Sequence, residues 1–233
     1  MVKILHLYPK LMNLYGDYAN VKVLKKHLED QGVKVSVETK DIEDSIYFDK
    51  YDFIYMGSGT ESNLKVALND LMKYRNVLHT CVNKGKVILF TGNAMELLGN
   101  YIDNEPALGI FDFETKHINK RLTGDVILKN DILGFIVGFI NKSSIIKGGE
   151  QDKLFDYVFM DNNLIDNEFE GCQKNNLYGT HVIGPVLVKN PDFMERIVRL
   201  LLPNDVEFKR IKYEFEVDSF ITTLNALKDR IKW

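Results

Sequence analysis

The stretch KVILFTGNAMELL, residues 86–98, decides the fold of this chain. Its mostly apolar residues 86–90 predict a buried strand and residues 94–98 are helix-like, with Thr91, Gly92 and Asn93 as a tight turn between them. A strand that enters a helix through so short a turn is typical of α/β proteins, which bind ligands at the carboxyl ends of their strands. We therefore predict a strand-to-helix elbow with Gly92 at its apex, at positive φ.

Strands and helices alternate on the amino-terminal side of this elbow. Residues 2–8, 33–37 and 52–56 predict strands, and residues 16–32 predict a helix with Gly32 as its C-cap. One long helix is predicted from a face formed by Leu64, Leu68, Leu71, Leu78 and Val82. This alternation predicts an α/β fold of the flavodoxin-like kind, with a mostly parallel central sheet and helices on both faces.

The second half of the chain has a different pattern. Helical periodicity is lost between about residues 111 and 159, which predicts antiparallel strands that extend the sheet, followed by a strand at 177–183 and a helix at 192–202. We assign residues 1–203 to one domain and 204–233 to a C-terminal extension. Its amphipathic helix carries an apolar stripe of Val217, Phe220, Ile221, Leu224, Leu227 and Ile231, expected to pack on its own domain, with partner docking as the less favoured alternative.

Composition narrows the class of protein. The 233 residues are 45% hydrophobic, enough for a sizeable core, and 30 basic against 33 acidic residues provide no basic field for nucleic acid. Charged residues interrupt every apolar run, so neither a signal peptide nor a membrane span is predicted. Two cysteines without metal-ligand spacing suit a reducing compartment, and we expect a cytoplasmic protein.

Several residues are candidate ligand-binding groups. The loop Gly57, Ser58, Gly59 and Thr60 follows a buried strand, and its glycines would let backbone N–H groups approach a ligand oxygen. From these residues alone, a plain tight connection is the favoured explanation. Two further candidates, Thr91 and Asn93, flank the apex of the elbow, where Thr91 is expected to end the strand or cap the helix. The remaining candidate is His181, near the end of a predicted strand.

The cysteines and histidines give weaker signals. Cys81 is expected to be buried on a helix, whereas Cys172 is expected in an exposed turn, where it is the thiol to test for reactivity. The five histidines form no metal-binding motif, and we predict neither a metal nor a cofactor.

Four segments resemble a known family, the class I glutamine amidotransferases of the cobyric-acid-synthase-like (CobB/CobQ-like) branch, and most closely the glutaminase subunits of lipid II isoglutaminyl synthases. Residues 11–20 resemble the opening loop and helix of those subunits, and residues 57–61 resemble their glycine-rich glutamine loop. Residues 90–99 fall on the nucleophile elbow, and residues 178–191 on the strand that carries the catalytic histidine. The resemblance covers residues 1 to about 203 and implies a class I amidotransferase fold.

The chain departs from the family at the catalytic positions. The resemblance places Gly92 where the cysteine nucleophile belongs and Ile183 where the histidine base belongs. It also places Ser143, Ser144 and Ile145 where the family continues with polar residues and an arginine. No catalytic residue is therefore intact.

The resemblance implies an amidotransferase-like protein of peptidoglycan precursor amidation, a cell-wall process. The absence of the family's catalytic cysteine and histidine implies a pseudoenzyme. Its remaining role would be that of a binding subunit of a Mur-ligase-like ATP-dependent partner, with glutamine or a related small molecule as a further ligand. Two alternatives stay open: an active amidotransferase with a displaced nucleophile such as Cys172, and a stand-alone sensor of a small metabolite.

Overall fold

A computed structural model describes residues 1–161 and 169–231. The first strands and helices follow the predicted alternation. They are β1 (Val2–Leu7), α1 (Tyr18–Asp30), β2 (Val35–Lys40), β3 (Phe53–Met56), α2 (Glu61–Leu71), α3 (Arg75–Asn83) and β4 (Val87–Thr91). Gly32, directly after α1, has φ +83°, as expected of a glycine that ends a helix.

The second half is rich in antiparallel strands, as predicted. The strands of this half are β5 (Tyr101–Ile102), β6 (Glu105–Pro106), β7 (Phe113–Asn130), β8 (Gly134–Gly148), β9 (Lys153–Met160), β10 (Phe169–Lys174), β11 (Leu177–Thr180) and β12 (Val182–Ile183). The remaining helices are α4 (Val186–Lys189), α5 (Pro191–Leu201) and α6 (Glu214–Lys228).

One mixed sheet joins ten of the strands in the order β12-β8-β7-β9-β10-β11-β4-β3-β1-β2, and β5 and β6 attach to it because β5 pairs with β7 and β6. The ladders from β2 to β11 are parallel, and those from β11 to β12 are antiparallel. Helices α1 and α5 bury their apolar sides on one face of the sheet, whereas α2 and α3 pack on the other. This confirms the predicted α/β architecture and places the carboxyl ends of β3, β4 and β11 side by side.

Two predicted elements are interrupted. The long helix ends at Leu71, and a short 3-10 segment, Met72–Tyr74, separates α2 from α3. Tyr74, the last residue of this segment, packs on Phe48 and donates its hydroxyl to the Asp44 carbonyl at 3.3 Å. The strand predicted over residues 177–183 is two strands, since β11 pairs with β4 and β12 pairs with β8. His181 lies at the break between them.

The C-terminal extension lies against the rest of the chain. Gln31, which directly follows α1, makes two hydrogen bonds of 2.9 and 2.7 Å to the backbone of Lys209, and the rings of His27 and Tyr213 stack at 3.8 Å. The stripe of α6 meets Ile127 and Val137 of the sheet through Phe220, Leu224, Leu227 and Ile231. Ile221 of the same stripe is 47% exposed, so the expectation that the stripe packs on its own domain is confirmed for these four residues.

Candidate functional site

The elbow at Gly92 has the predicted backbone. Strand β4 ends at Thr91, and Gly92 follows with φ +61°, in the left-handed region that favours glycine. The helix that begins there, Gly92–Leu98, is a 3-10 helix and not an α-helix. The carbonyls of Leu97 and Leu98 accept hydrogen bonds from Leu108 and Ile110, so tertiary contacts take the place of a further helical turn.

The space in front of Gly92 is filled. A Cβ atom at this position would lie 2.5 Å from both Cβ and Oγ of Ser58 and 3.1 Å from Cγ2 of Ile183. Real Cβ atoms do not approach other atoms so closely, so no side chain fits there unless Ser58 moves. The two positions that the resemblance assigns to nucleophile and base thus face each other, and neither carries a reactive group.

The glycines of the 57–60 loop are required by packing within the chain. A Cβ at Gly57 would lie 2.8 Å from the carbonyl oxygen of Met12, and a Cβ at Gly59 would collide with the Met12 sulfur. The segment that precedes α1 therefore lies directly on this loop. Close approach of the chain to itself, rather than to a ligand, accounts for both glycines.

The backbone donors of this loop are also engaged. The N–H of Ser58 donates to Asp17 Oδ2 at 2.8 Å, and the N–H of Gly59 donates to Asn93 Oδ1 at 2.9 Å. The side-chain amide of Asn93 also donates to the Gly59 carbonyl at 2.9 Å. The Thr60 side chain caps α2 by accepting a hydrogen bond from the N–H of Asn63. The structure thus brings Ser58, Gly59 and Asn93 together, but the donors that could have served an oxyanion already have partners.

Asp17 is the buried acid that sequence reasoning missed. Its carboxylate accepts from the Ser58 N–H and from Thr91 Oγ1 at 3.1 Å, and it is fully buried. Burial raises the pKa of Asp17 to about 6 against the opposing effect of these hydrogen bonds. Its place before α1 suggests an N-cap, but its side chain makes no capping bond and instead joins the loop to the elbow.

His181 points into the protein interior. It is 2% exposed, its Nδ1 lies 3.2 Å from Glu170 Oε1, and its Nε2 lies 3.6 Å from Glu96 Oε1. Burial and the charge of Lys142 oppose protonation, yet the two carboxylates raise the pKa of His181 above its usual value. Its contacts are those of a buried ion cluster, so the expectation that this histidine reaches a ligand site is not supported.

Glu96 lies at the centre of that cluster, which the sequence did not indicate. It is 1% exposed and accepts a 2.6 Å hydrogen bond from Ser144 Oγ, and His117 Nε2 lies 3.3 Å from its other oxygen. His117 in turn contacts Asp103 through Nδ1 at 2.9 Å. The nearby Glu96 carboxylate is the main reason that the pKa of His117 rises to about 9, so this ring is cationic at neutral pH.

The prediction for Cys172 is wrong. The residue lies inside β10, where it pairs with Gly179 of β11, and it is 2% exposed. Burial raises the pKa of its thiol well above the usual value, so little thiolate is present at neutral pH. Cys81 is buried as predicted.

The parallel sheet and the elbow at the end of β4 define a class I glutamine amidotransferase fold. A glutamine amidotransferase from Thermotoga maritima has this fold, with a TM-score of 0.56 at 11% identity over 98% of this chain and 97% of its own. The chain belongs to the CobB/CobQ-like glutamine amidotransferase domain family, whose model matches residues 3–191.

Two relatives are more similar in sequence. The lipid II isoglutaminyl synthase (glutamine-hydrolyzing) subunit GatD of Staphylococcus aureus (strain N315) is 31% identical over 91% of this chain and 87% of its own length. The subunit of the same name from Streptococcus pneumoniae (strain ATCC BAA-255 / R6) is 27% identical over 86% and 80%. In the part of the chain that the structure describes, no helix is long and apolar enough to cross a membrane.

Proposed function

We propose that this chain is a catalytically degenerate amidotransferase domain that binds a Mur-ligase-like ATP-dependent partner subunit in the cytoplasm. The observation that supports degeneracy most directly is the filled space at Gly92, where Ser58 and Ile183 lie in place of a nucleophile and a base. Glutamine hydrolysis through a thioester needs a thiolate and a base that activates first the thiol and then water. Catalytic groups of this kind act together, so losing them costs many powers of ten in rate.

The partner role is supported by the family match over most of the chain and by exposed apolar side chains in its opening segment. Both relatives are described as subunits of a synthase, and the match extends over most of this chain. The opening segment that carries part of the family resemblance exposes Leu14, Tyr15 and Tyr18 to solvent at 38%, 43% and 43%. Exposed aromatic side chains are the usual anchors of protein interfaces, which bury about 1,200–2,000 Å² when the complex is stable. A role in peptidoglycan precursor amidation follows if the partner is the ligase of that process.

We expect no glutaminase activity from the purified protein. Ammonia release from glutamine should equal that of a heat-inactivated sample, with an active glutaminase as the positive control, because neither position 92 nor position 183 supplies a reactive group. Release above the control that is abolished by Cys172→Ala would overturn degeneracy and establish the displaced nucleophile.

We also expect a Mur-ligase-like protein to co-purify with this chain at native expression levels. Tyr18→Ala should weaken the complex by about tenfold or more if Tyr18 is an interface anchor. Tyr47→Ala is the matched control, because Tyr47 is 57% exposed in the segment before β3, at the opposite end of the strands. Recovery of a monomer without a ligase would refute the partner role and favour the sensor.

A further inference from the structure

The C-terminal extension forms a pocket against α1 and α5 that the proposed function does not use. Its volume is about 430 Å³, which is large enough for an aromatic ring. The hydrogen bonds from Gln31 to the Lys209 backbone and the stacking of His27 on Tyr213 hold the extension in place as one wall. The apolar side chains that line the pocket come from α5 and from the extension, and they are Pro191, Val198, Phe208, Ile211, Tyr213 and Val217.

An exposed aromatic side chain, Phe215, lies beside this pocket. It is 93% exposed, more than any other large apolar side chain among the described residues. Its chain neighbours Tyr213, Glu216 and Val217 line the pocket, whereas Phe215 itself does not. Exposed apolar groups with polar surroundings mark interaction sites, and aromatic side chains are frequent anchors of protein interfaces. One surface of the protein therefore carries both a free aromatic ring and a cavity that fits one.

The charges on the two sides of Tyr213 have opposite signs. Residues 209–212 contain three basic side chains and no acid, whereas residues 214–218 contain three acidic side chains and no base. Most of these side chains are exposed. Lys212 and Glu214 pair on the surface at 3.1 Å, but within the described residues neither Arg210 nor Asp218 has an ion-pair partner. A basic segment beside an acidic segment is complementary to a second copy of itself turned through 180°.

Two-fold symmetry satisfies the ring, the pocket and the charges together. In a two-fold interface the same patch meets itself, so that residue i contacts residue j and residue j contacts residue i. Because Phe215 lies beside the pocket, one two-fold axis between them brings the ring of each copy to the pocket of the other. The same rotation brings each basic segment to the acidic segment of the other copy. An unrelated protein would have to match the pocket and both charged segments independently, so a second copy of this chain is favoured.

We propose that the chain forms a symmetric homodimer through residues 208–218, in which Phe215 of each copy enters the pocket of the other. The patch is smaller than the roughly 20–30 residues that each side of a standard interface contributes, so we expect a dissociation constant of about 1–100 µM. The dimer does not require a closed elbow at Gly92. It also leaves Tyr18 accessible to a ligase, because Tyr18 begins α1 and lies roughly 13 Å along the helix axis from His27 at the pocket.

Sedimentation velocity of the full chain at about 1–200 µM tests this proposal, and we expect the mass to rise from one chain to two. Phe215→Ala should weaken the dimer by about tenfold or more. The fold of this variant should be unchanged, because Phe215 is almost fully exposed. Tyr47→Ala is the matched control: Tyr47 is 57% exposed, and its neighbour Phe48 packs on the other face of the sheet. A monomer at every concentration, or equal affinity in Phe215→Ala and the parent, would overturn the proposal.

Two charge-reversal variants test the two-fold arrangement. The variant with Lys209→Glu and Arg210→Glu is acidic on both sides of Tyr213, and the variant with Glu214→Lys and Asp218→Lys is mainly basic on both sides. Each variant alone should associate more weakly than the parent, because like charges face each other. An equimolar mixture should form a dimer of one copy of each variant. A mixture that associates no better than the separate variants would exclude the two-fold arrangement. None of these measurements involves glutamine or a ligase, so their failure would leave the proposed function unaffected.

Discussion

Replacing Glu96 with alanine should lower the free energy of unfolding by about 3–5 kcal/mol, the cost of breaking a buried ion pair by removing one partner. The carboxylate is 1% exposed and faces His181, His117 and Ser144. Its removal leaves the Ser144 hydroxyl without its acceptor and takes a counter-ion from His181 and His117 in the protein interior, and it also opens a cavity. Urea unfolding at pH 6 measures the effect.

Glu195→Ala provides the control for this prediction. Glu195 forms a 2.7 Å ion pair with Arg199 on the surface of α5, where such pairs contribute about 0–1 kcal/mol. A loss in Glu96→Ala no larger than that in Glu195→Ala would show that the buried cluster does not stabilise the fold.

The stability difference between the parent and Glu96→Ala should depend on pH. Burial opposes ionisation of Glu96, but the nearby His117 and His181 rings and the hydrogen bond from Ser144 outweigh it and lower its pKa from 4.5 to about 2. Its contribution is therefore complete above pH 4.5 and is lost as the pH falls through 2. The pKa of His117 rises from 6.5 to about 9, so its contribution is complete below pH 6.5 and is lost as the pH rises through 9. The difference should therefore be largest between about pH 4.5 and 6.5.

Gly92→Ala should lower the free energy of unfolding by about 2–4 kcal/mol. About 1 kcal/mol comes from placing a side chain at φ +61°, and about 1–3 kcal/mol from the collision of its Cβ with Ser58 and Ile183. Denaturant unfolding followed by circular dichroism measures the total loss in the free energy of unfolding.

Gly32→Ala separates the two contributions. Gly32 has φ +83°, but a Cβ there would have nothing within 4 Å, so only the conformational cost of about 1 kcal/mol applies. If the two alanine variants lose the same stability, the space in front of Gly92 is not closed, and degeneracy is supported by the identities of Gly92 and Ile183 alone.

Much of this molecule was determined by its sequence alone. The apolar runs at 2–8, 52–56 and 86–90 predicted buried strands, and the loss of helical periodicity after residue 111 predicted the antiparallel extension, because both patterns are local in the chain. The family resemblance and the identities of Gly92 and Ile183 were also readable without coordinates. A glycine and an isoleucine supply no nucleophile or base in any fold.

Only the tertiary structure decided how the site is closed. Ser58 lies against Gly92, Asp17 bonds to Thr91 from 74 positions away, and His181 turns towards Glu96 instead of the 57–60 loop. Cys172 is buried because β10 pairs with β11, which its local sequence of Glu, Gly and Gln did not indicate. Each of these features is a contact between residues that are distant in sequence. The energy of such a contact depends on side-chain position and on burial, and the local periodicity of the sequence carries no information about position or burial.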